Sequence, residues 1–334
     1  MATGEAEGTS GDAFGLVVLT PVYQDWEACG ILLQKLDEVL AEHELRARVL
    51  IVDDGSTVDA PETFARETYR QYDAVDIVHL RTNLGHQRAI GVGLTYAYEE
   101  VPLDAVAIMD SDGEDRPEDV PRLVARFREL NRRQVVFADR TRRSESIVFK
   151  IFYLLYKIIV WTLTSTRVRV GNFSVLSAEH LSRLVAVSDL WNHYAAAVFN
   201  ANIPHTSVPT SRGVRYAGRS AMNFVALVTH GLSSIAVFSG VVGVRLLLAC
   251  AALLALFFAG IVVVLALQAS ALVVVPQWAM VGVGILGVLL AQLLLLSFGA
   301  IVFILHGRDR MSFLPIRDYH YFVARVTRRY PHDE

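Results

Sequence analysis

Cysteine is nearly absent: Cys29 and Cys250 are the only two in 334 residues. Two thiols, one of them inside an uninterrupted apolar stretch, cannot make a disulfide framework or a four-ligand zinc site. A surplus of positive charge is missing as well. Lys and Arg number 31 against 34 Asp and Glu, a net charge of -3, and no part of the chain is basic enough for a nucleic-acid partner. The segment Met1 to Asp12 has neither a basic start nor an apolar centre, so no secretory signal is expected and residues 14 to about 220 are expected to stay cytosolic. On that expectation the glycosylation pattern Asn172-Phe173-Ser174 is a chance match. No internal repeat is found.

What the chain does have is apolar surface: 53% hydrophobic residues and a mean hydropathy of +0.38 exceed what a purely soluble protein carries. The excess lies in two stretches without charged side chains, Leu246 to Leu267 and Trp278 to Leu305, each long enough to cross a bilayer. The connection Gln268 to Gln277 has no charge, whereas Arg245 precedes the first stretch and Arg308, Arg310 and Arg317 follow the second. The positive-inside tendency therefore puts both outer flanks in the cytoplasm. Two further stretches, Ile147 to Leu163 with Lys150 and Lys157 on one helical face, and Met222 to Val242, read as helices in the membrane surface. A buried core helix with two long lysines accounts for Ile147 to Leu163 equally well.

Between residues 14 and 140 short apolar runs alternate with amphipathic stretches. Strands are expected at 16–19, 49–52, 75–78, 106–109 and 135–137, and helices at 25–42, 61–71, 86–99 and 117–131. Such alternation means an α/β fold with a mostly parallel, Rossmann-like sheet covered on both faces. The organisation expected is a disordered tail at 1–13, an α/β domain at 14–221 including the helix at 147–163, and an interfacial segment at 222–243. A two-helix transmembrane hairpin at 244–305 and a cytosolic tail at 306–334 follow.

Three polar clusters fall where strands of such a sheet would end: Thr20-Pro21-Val22-Tyr23-Gln24-Asp25, Val52-Asp53-Asp54-Gly55-Ser56-Thr57 and Asp110-Ser111-Asp112-Gly113-Glu114-Asp115. Ligands of parallel sheets bind beyond those ends. Tyr23 offers a ring for a base, Asp53 or Asp54 an acceptor for base or ribose, and the D-x-D pair can aim oxygens at a divalent cation that bridges a diphosphate. Turn chemistry and helix capping explain each cluster alone. Their order and spacing together favour the ligand site.

These motifs resemble the family-2 glycosyltransferases of GT-A fold. Within them the chain is similar to the polyprenyl-phosphate glycosyltransferases, the branch of dolichol-phosphate mannose synthase and the GtrB-type enzymes. Pro21 to Asp25 is similar to P-V-Y-N-E, Val52 to Thr57 to V-D-D-G-S-T, and Leu80 to Gly85 to L-x-x-N-x-G. Asp110 to Pro117 resembles D-A-D-L-Q-D-P-P, Gly171-Asn172-Phe173 resembles G-D-F, and Arg215 to Ser220 resembles R-x-x-G-x-S. The resemblance implies a membrane-bound enzyme that moves a sugar from a nucleotide-sugar donor to a polyprenyl phosphate. Pro21, Tyr23, Asp25, Asp53, Asp54 and Ser111 would hold the donor, and Asp110, Asp112 and Glu114 would hold Mg²⁺ or Mn²⁺ and the diphosphate. Arg140 and Arg143, in an element like G-x-R-x-x-R, would act on phosphate oxygens at the catalytic centre, and Arg212, Arg215 and Arg219 would bind the lipid phosphate. Asn172 stands where the family has Asp and cannot act as a base, and Arg219 replaces an acidic residue. His86 either contacts the diphosphate or is a solvent-exposed helix-start residue. A hydroxyl acceptor remains the alternative enzyme reading. A non-catalytic nucleotide-sugar-binding membrane protein is the other alternative, and homo-oligomer formation is left open. The missing Q-x-x-R-W motif and the mere two spans speak against a processive polysaccharide synthase.

Overall fold

The computed structural model of the protein describes residues 14–65, 68–140, 170–218, 224–270, 272, 274–308 and 313–331. The expected tail at 1–13, the helix at 147–163, Arg143 and Arg219 lie outside the described residues. The chain forms two units. One holds residues 1–144, 168–230 and 313–334, and the other holds 145–167 and 231–312.

The first unit is built on an eight-stranded mixed sheet of order β7-β5-β6-β4-β1-β2-β3-β8. Its strands are β1 (Leu16–Val22), β2 (Ala47–Asp53), β3 (Tyr72–Leu80), β4 (Ala105–Ile108), β5 (Val135–Arg140), β6 (Ser174–Ser177), β7 (His205–Thr210) and β8 (Val323–Tyr330). Neighbours β4-β1, β1-β2, β2-β3 and β5-β7 are parallel; β6 runs antiparallel to both β4 and β5, and β8 antiparallel to β3. Strands β1, β2, β3, β4, β5 and β7 therefore all end at the same edge.

Central strand β1 is buried at all seven positions, as a strand covered on both faces requires. Its alternate residues feed two cores. Val18 packs with Val49, Ile51 and the apolar stripe of helix α1 (Trp26–Glu42), whose Leu32, Leu33, Leu36 and Leu40 are buried. On the other face Val17 and Leu19 pack with Leu50, Val52 and helix α2 (His86–Glu100). Helix α3 (Asp119–Glu129) covers the first face, and α4 (Ala178–Val185) and α5 (Tyr194–Asn200) cover the second.

Two expectations differ from the structure. Residues 61–65 form turns rather than the start of a helix running to 71. Ala65 takes a left-handed φ of 57°, and the Arg70 and Gln71 amides donate to the Asp37 carboxylate on α1, so no helical ladder can run through them. The second difference concerns the expected C-terminal tail at 306–334, where residues 323–330 form edge strand β8. The buried Asp76 carboxylate on β3 pins that strand, accepting from Arg48 of β2 at 2.7 Å and from Arg328 of β8 at 3.0 Å. Tyr330 Oη donates to Tyr69 O at 3.0 Å. Upstream of the strand, Phe313 and Phe322 stack on Trp191 with ring centroids 3.9 and 4.9 Å apart. Asp76→Ala is expected to cost about 2–3 kcal/mol, since charge-assisted bonds from two arginines are lost. Hydrogen exchange in β8 should rise before that in β1.

In the second unit, helices α7 (Ser239–Ala269) and α8 (Gln277–Arg308) follow α6 (Phe224–Val237). Both are long and apolar enough to cross a membrane, and almost nothing in their apolar windows is buried within the protein. Aliphatic side chains exposed along their whole length need a non-aqueous surrounding.

Candidate active site

The shared strand edge collects the polar clusters. Pro21 is buried in β1 opposite Val52, while Tyr23, just past the strand, is 46% exposed and presents its ring outward. Asp54 N–H donates to Val22 O at 2.8 Å, which sets the second cluster beside the first. Gln24 joins them again, its backbone amide donating to Ser56 Oγ at 2.9 Å and its side-chain amide to Thr57 Oγ1 at 2.5 Å.

Asp53 and Asp54 are both buried and both occupied. Asp53 accepts from Ser56 N–H at 3.0 Å and bonds His79 Nδ1 at 2.9 Å, the imidazole standing beside it in register on β3. Burial pushes the Asp53 carboxyl up, but the hydrogen bonds from His79 and Ser56 outweigh it and leave the group below the ordinary aspartate range. Asp54 clasps the turn before α2, accepting from Leu84 N–H at 2.7 Å and Gly85 N–H at 3.0 Å. There burial dominates those bonds and pushes the carboxyl up to about 6. Gly55, at φ 68°, lets the chain turn tightly, because a Cβ would stand 2.4 Å from the Thr82 carbonyl carbon.

A folded-state value above the ordinary one means that the protonated Asp54 favours the fold. That contribution is fully present below the unfolded aspartate range and is lost as pH rises through about 6. Asp54→Asn should flatten the corresponding fall in thermal stability between about pH 4 and 6, followed by circular dichroism.

The D-x-D turn follows β4. Asp110 N–H donates to the buried Asp115 carboxylate at 2.9 Å, and Glu114 N–H to Asp112 Oδ1 at 2.9 Å, folding the turn around Gly113 at φ 89°. Ser111 is buried beneath it. Each carboxylate faces a different basic side chain: Asp110 meets the His86 imidazole Nε2 at 3.2 Å, Glu114 meets Arg212, and Asp112 accepts from Arg215 at 2.8 Å. Arg215 also binds Asp25, so the donor loop after β1 and the D-x-D turn share one guanidinium. Arg140 closes β5 at the same edge, in register with Thr210 of β7, and the segment carrying Arg212 and Arg215 continues from that strand.

His86 Nε2 also lies 3.0 Å from Asn172 Nδ2, and Asn172 Oδ1 accepts from Gln87 at 3.1 Å. Burial pulls His86 down, but the charge and hydrogen bond of Asp110 raise it overall. Asp112 is pushed up by burial and by the charges of Asp110 and Glu114, against the Glu114 amide bond and the Arg215 charge. Among the described residues no three His, Cys, Asp or Glu side chains converge as a preformed metal cage. The donor set nevertheless suits a hard divalent cation: three carboxylates stand on five consecutive residues, and the negative charges of Asp110 and Glu114 add to the burial that raises Asp112, which a positive centre would relieve.

A family model described as glycosyl transferase family 2 matches residues 17–184, half of the chain. The chain belongs to that family. The three strand-end carboxylate clusters and the sheet's central strands fall in the match, while β7 and β8 lie beyond it, and the protein is a glycosyltransferase. It is 25% identical over 283 residues to an undecaprenyl-phosphate 4-deoxy-4-formamido-L-arabinose transferase of Klebsiella pneumoniae, covering 80% of this chain and 79% of that protein. Over 121 residues it is 31% identical to a dodecaprenyl-phosphate galacturonate synthase of Rhizobium johnstonii, 36% of this chain and 33% of that one. The GT-A fold is shared with a glucosyl-3-phosphoglycerate synthase from Mycobacterium tuberculosis, crystallised with Mn²⁺, UDP-glucose and phosphoglyceric acid. The TM-score is 0.50 at 15% identity, over 69% of this chain and 80% of that one.

Sequence reasoning placed the carboxylates of this glycosyltransferase but missed what holds them. His79, Ser56, Gln87 and Asp115 carry the supporting bonds. His79 was visible as the one imidazole within the apolar run Val75-Asp76-Ile77-Val78-His79-Leu80.

Proposed function

We propose that the enzyme transfers a sugar from a nucleotide-sugar to a polyprenyl phosphate at the membrane surface. What carries the reading is the meeting, at one sheet edge, of a carboxylate turn suited to a metal diphosphate and an arginine segment suited to a second phosphate. The names of the relatives and the two membrane-length helices support the same acceptor class.

Tyr23 stacks on the base and the Asp53 loop holds the nucleoside, while Asp110, Asp112 and Glu114 would hold the cation. Bound there, Mg²⁺ or Mn²⁺ would neutralise charge on the departing diphosphate. An acceptor phosphate oxygen attacks the anomeric carbon, the carbon–oxygen bond to the diphosphate breaks in line, and the nucleoside diphosphate leaves. No proton has to be removed, because a phosphate monoester with a second pKa near ~6 is already largely dianionic at neutral pH. Asn172 fits this chemistry: its side-chain oxygen accepts from Gln87 and it offers no base, which a hydroxyl acceptor would need. Arg140, Arg143 and Arg219 are assigned to phosphate oxygens by their place in the motifs.

Purified enzyme incubated with a panel of nucleotide sugars, Mg²⁺ or Mn²⁺ and a short polyprenyl phosphate should yield a lipid-linked sugar phosphate with at least one donor. Transfer to hydroxyl acceptors, with none to the lipid phosphate from any donor, would overturn the assignment. The topology that goes with it has the 268–277 connection outside the cytoplasm and Arg325 inside. Single cysteines at both places, with Cys29 and Cys250 replaced, should label from opposite sides; labelling of both from the cytosolic side alone contradicts it.

A further inference from the structure

Two of the three proposed metal ligands, Glu114 and Asp112, already face a guanidinium supplied by the protein itself. Asp112 shows the consequence most clearly, because Oδ1 accepts the Glu114 amide and Oδ2 accepts Arg215, leaving neither oxygen unengaged. Each oxygen keeps a second lone pair, but a divalent ion bound there would stand beside the Arg215 guanidinium. The arginines do not reach in from a distance. Their segment, residues 211–218, is fastened along the turn: Gly213 N–H donates to Glu114 O at 2.9 Å and Tyr216 N–H to Asp112 O at 2.9 Å. Contact is close enough that a Cβ on Gly213 would stand 2.1 Å from Gly113 O, and one on Gly113 would stand 2.7 Å from the Tyr216 ring. Lys35 lies over that ring at 4.6 Å.

We propose that Arg212 and Arg215 are internal counter-ions of the metal site: a divalent cation displaces them, residues 211–218 lift from the D-x-D turn, and the released guanidiniums become the receptor for the acceptor's phosphate. The inference rests on the acceptor assignment above and adds its regulation. A dication and a guanidinium on one carboxylate repel each other. The planar fork of arginine pairs with carboxylate and phosphate alike, so the side chains exchange one anion for another without losing their bond type. Before the metal arrives, the arginines are tied down and the acceptor has no receptor. Metal and donor therefore load first and the lipid phosphate second, which keeps the acceptor from occupying a site that has no sugar to give.

Mn²⁺ binding to the full-length protein, measured by electron paramagnetic resonance without donor or acceptor, tests the displacement. Arg215→Ala should bind Mn²⁺ about tenfold or more tightly than the wild type, because a competing charge-assisted bond of that worth is gone. Arg215→Lys should fall between the two, and Arg212→Ala should shift the same way as Arg215→Ala. A second readout leaves the arginines and the carboxylates unchanged. With Cys29 and Cys250 replaced by Ala, nitroxides on Val214→Cys and Glu38→Cys, both exposed positions, should report a changed distance when Mg²⁺ is added. Unchanged or weaker Mn²⁺ binding in both Ala variants, with an unchanged nitroxide distance, overturns the displacement. Sugar transfer by the wild type, run on the same preparation, separates the two claims. Transfer to polyprenyl phosphate without the Mn²⁺ effect discards the displacement and keeps the acceptor, while the Mn²⁺ effect with transfer only to hydroxyls discards the acceptor step and keeps the displacement.

Discussion

Asp112→Asn in the full-length enzyme should lower kcat by about two to three orders of magnitude, the usual cost of removing one charge-stabilising group from a transition state. Its thermal unfolding should stay close to that of the wild type. The side chain lies on the surface turn rather than in either core, and the Glu114 amide can still bond the asparagine oxygen. Asp110→Asn should behave alike, although its contact with His86 adds a second loss. Excess EDTA should reproduce the defect in the wild type and fresh Mg²⁺ or Mn²⁺ should reverse it. Near-normal turnover in both variants would remove these carboxylates from the reaction.

The second large effect belongs to Asp53, and it should appear in donor binding rather than in the chemical step. Asp53→Ala removes the acceptor of the Ser56 amide and of His79 in a buried setting, at about 1–3 kcal/mol for each group left without a partner. Because Ser56 and Thr57 also hold Gln24, next to Tyr23, the base platform should loosen with it. Calorimetry should show nucleoside diphosphate binding weakened at least ~30-fold, with kcat at saturating donor changed far less. Asp53→Asn, which keeps an acceptor oxygen, should recover part of the affinity. Equal affinity in all three proteins would leave the nucleoside to other residues.

The central strands were legible in the sequence because each is a short apolar run closed by turn residues, and a parallel sheet buried on both faces produces that pattern. Carboxylates at the strand ends were legible for the same reason: they are polar where the runs stop. The sheet margins were not. β8 reads Val-Ala-Arg-Val-Thr-Arg-Arg-Tyr, and its arginines make it look like a tail; it becomes a strand because Asp76, some 250 positions earlier, supplies the countercharge. β6 and β7 are short, and β7 alternates exposed with half-buried positions and buries only its last residue, Thr210. At the site, the expectation that Arg212 and Arg215 serve a phosphate gave no hint that they sit on Glu114 and Asp112, since pairing across about a hundred residues leaves no local trace. The bonds by which Asp53 and Asp54 hold the surrounding loops come from His79, Ser56, Leu84 and Gly85, and only the fold brings the more distant of these to them.

Acceptor choice tests the account most directly. Purified enzyme, with its preferred nucleotide sugar and saturating Mg²⁺ or Mn²⁺, is offered a polyprenyl phosphate and the polyprenol of the same chain length in parallel. A site whose arginines await an anion, and which has asparagine in place of a base, should use the phosphate at least ~100-fold faster in kcat/KM. Equal rates with the two lipids, or a preference for the alcohol, would contradict it.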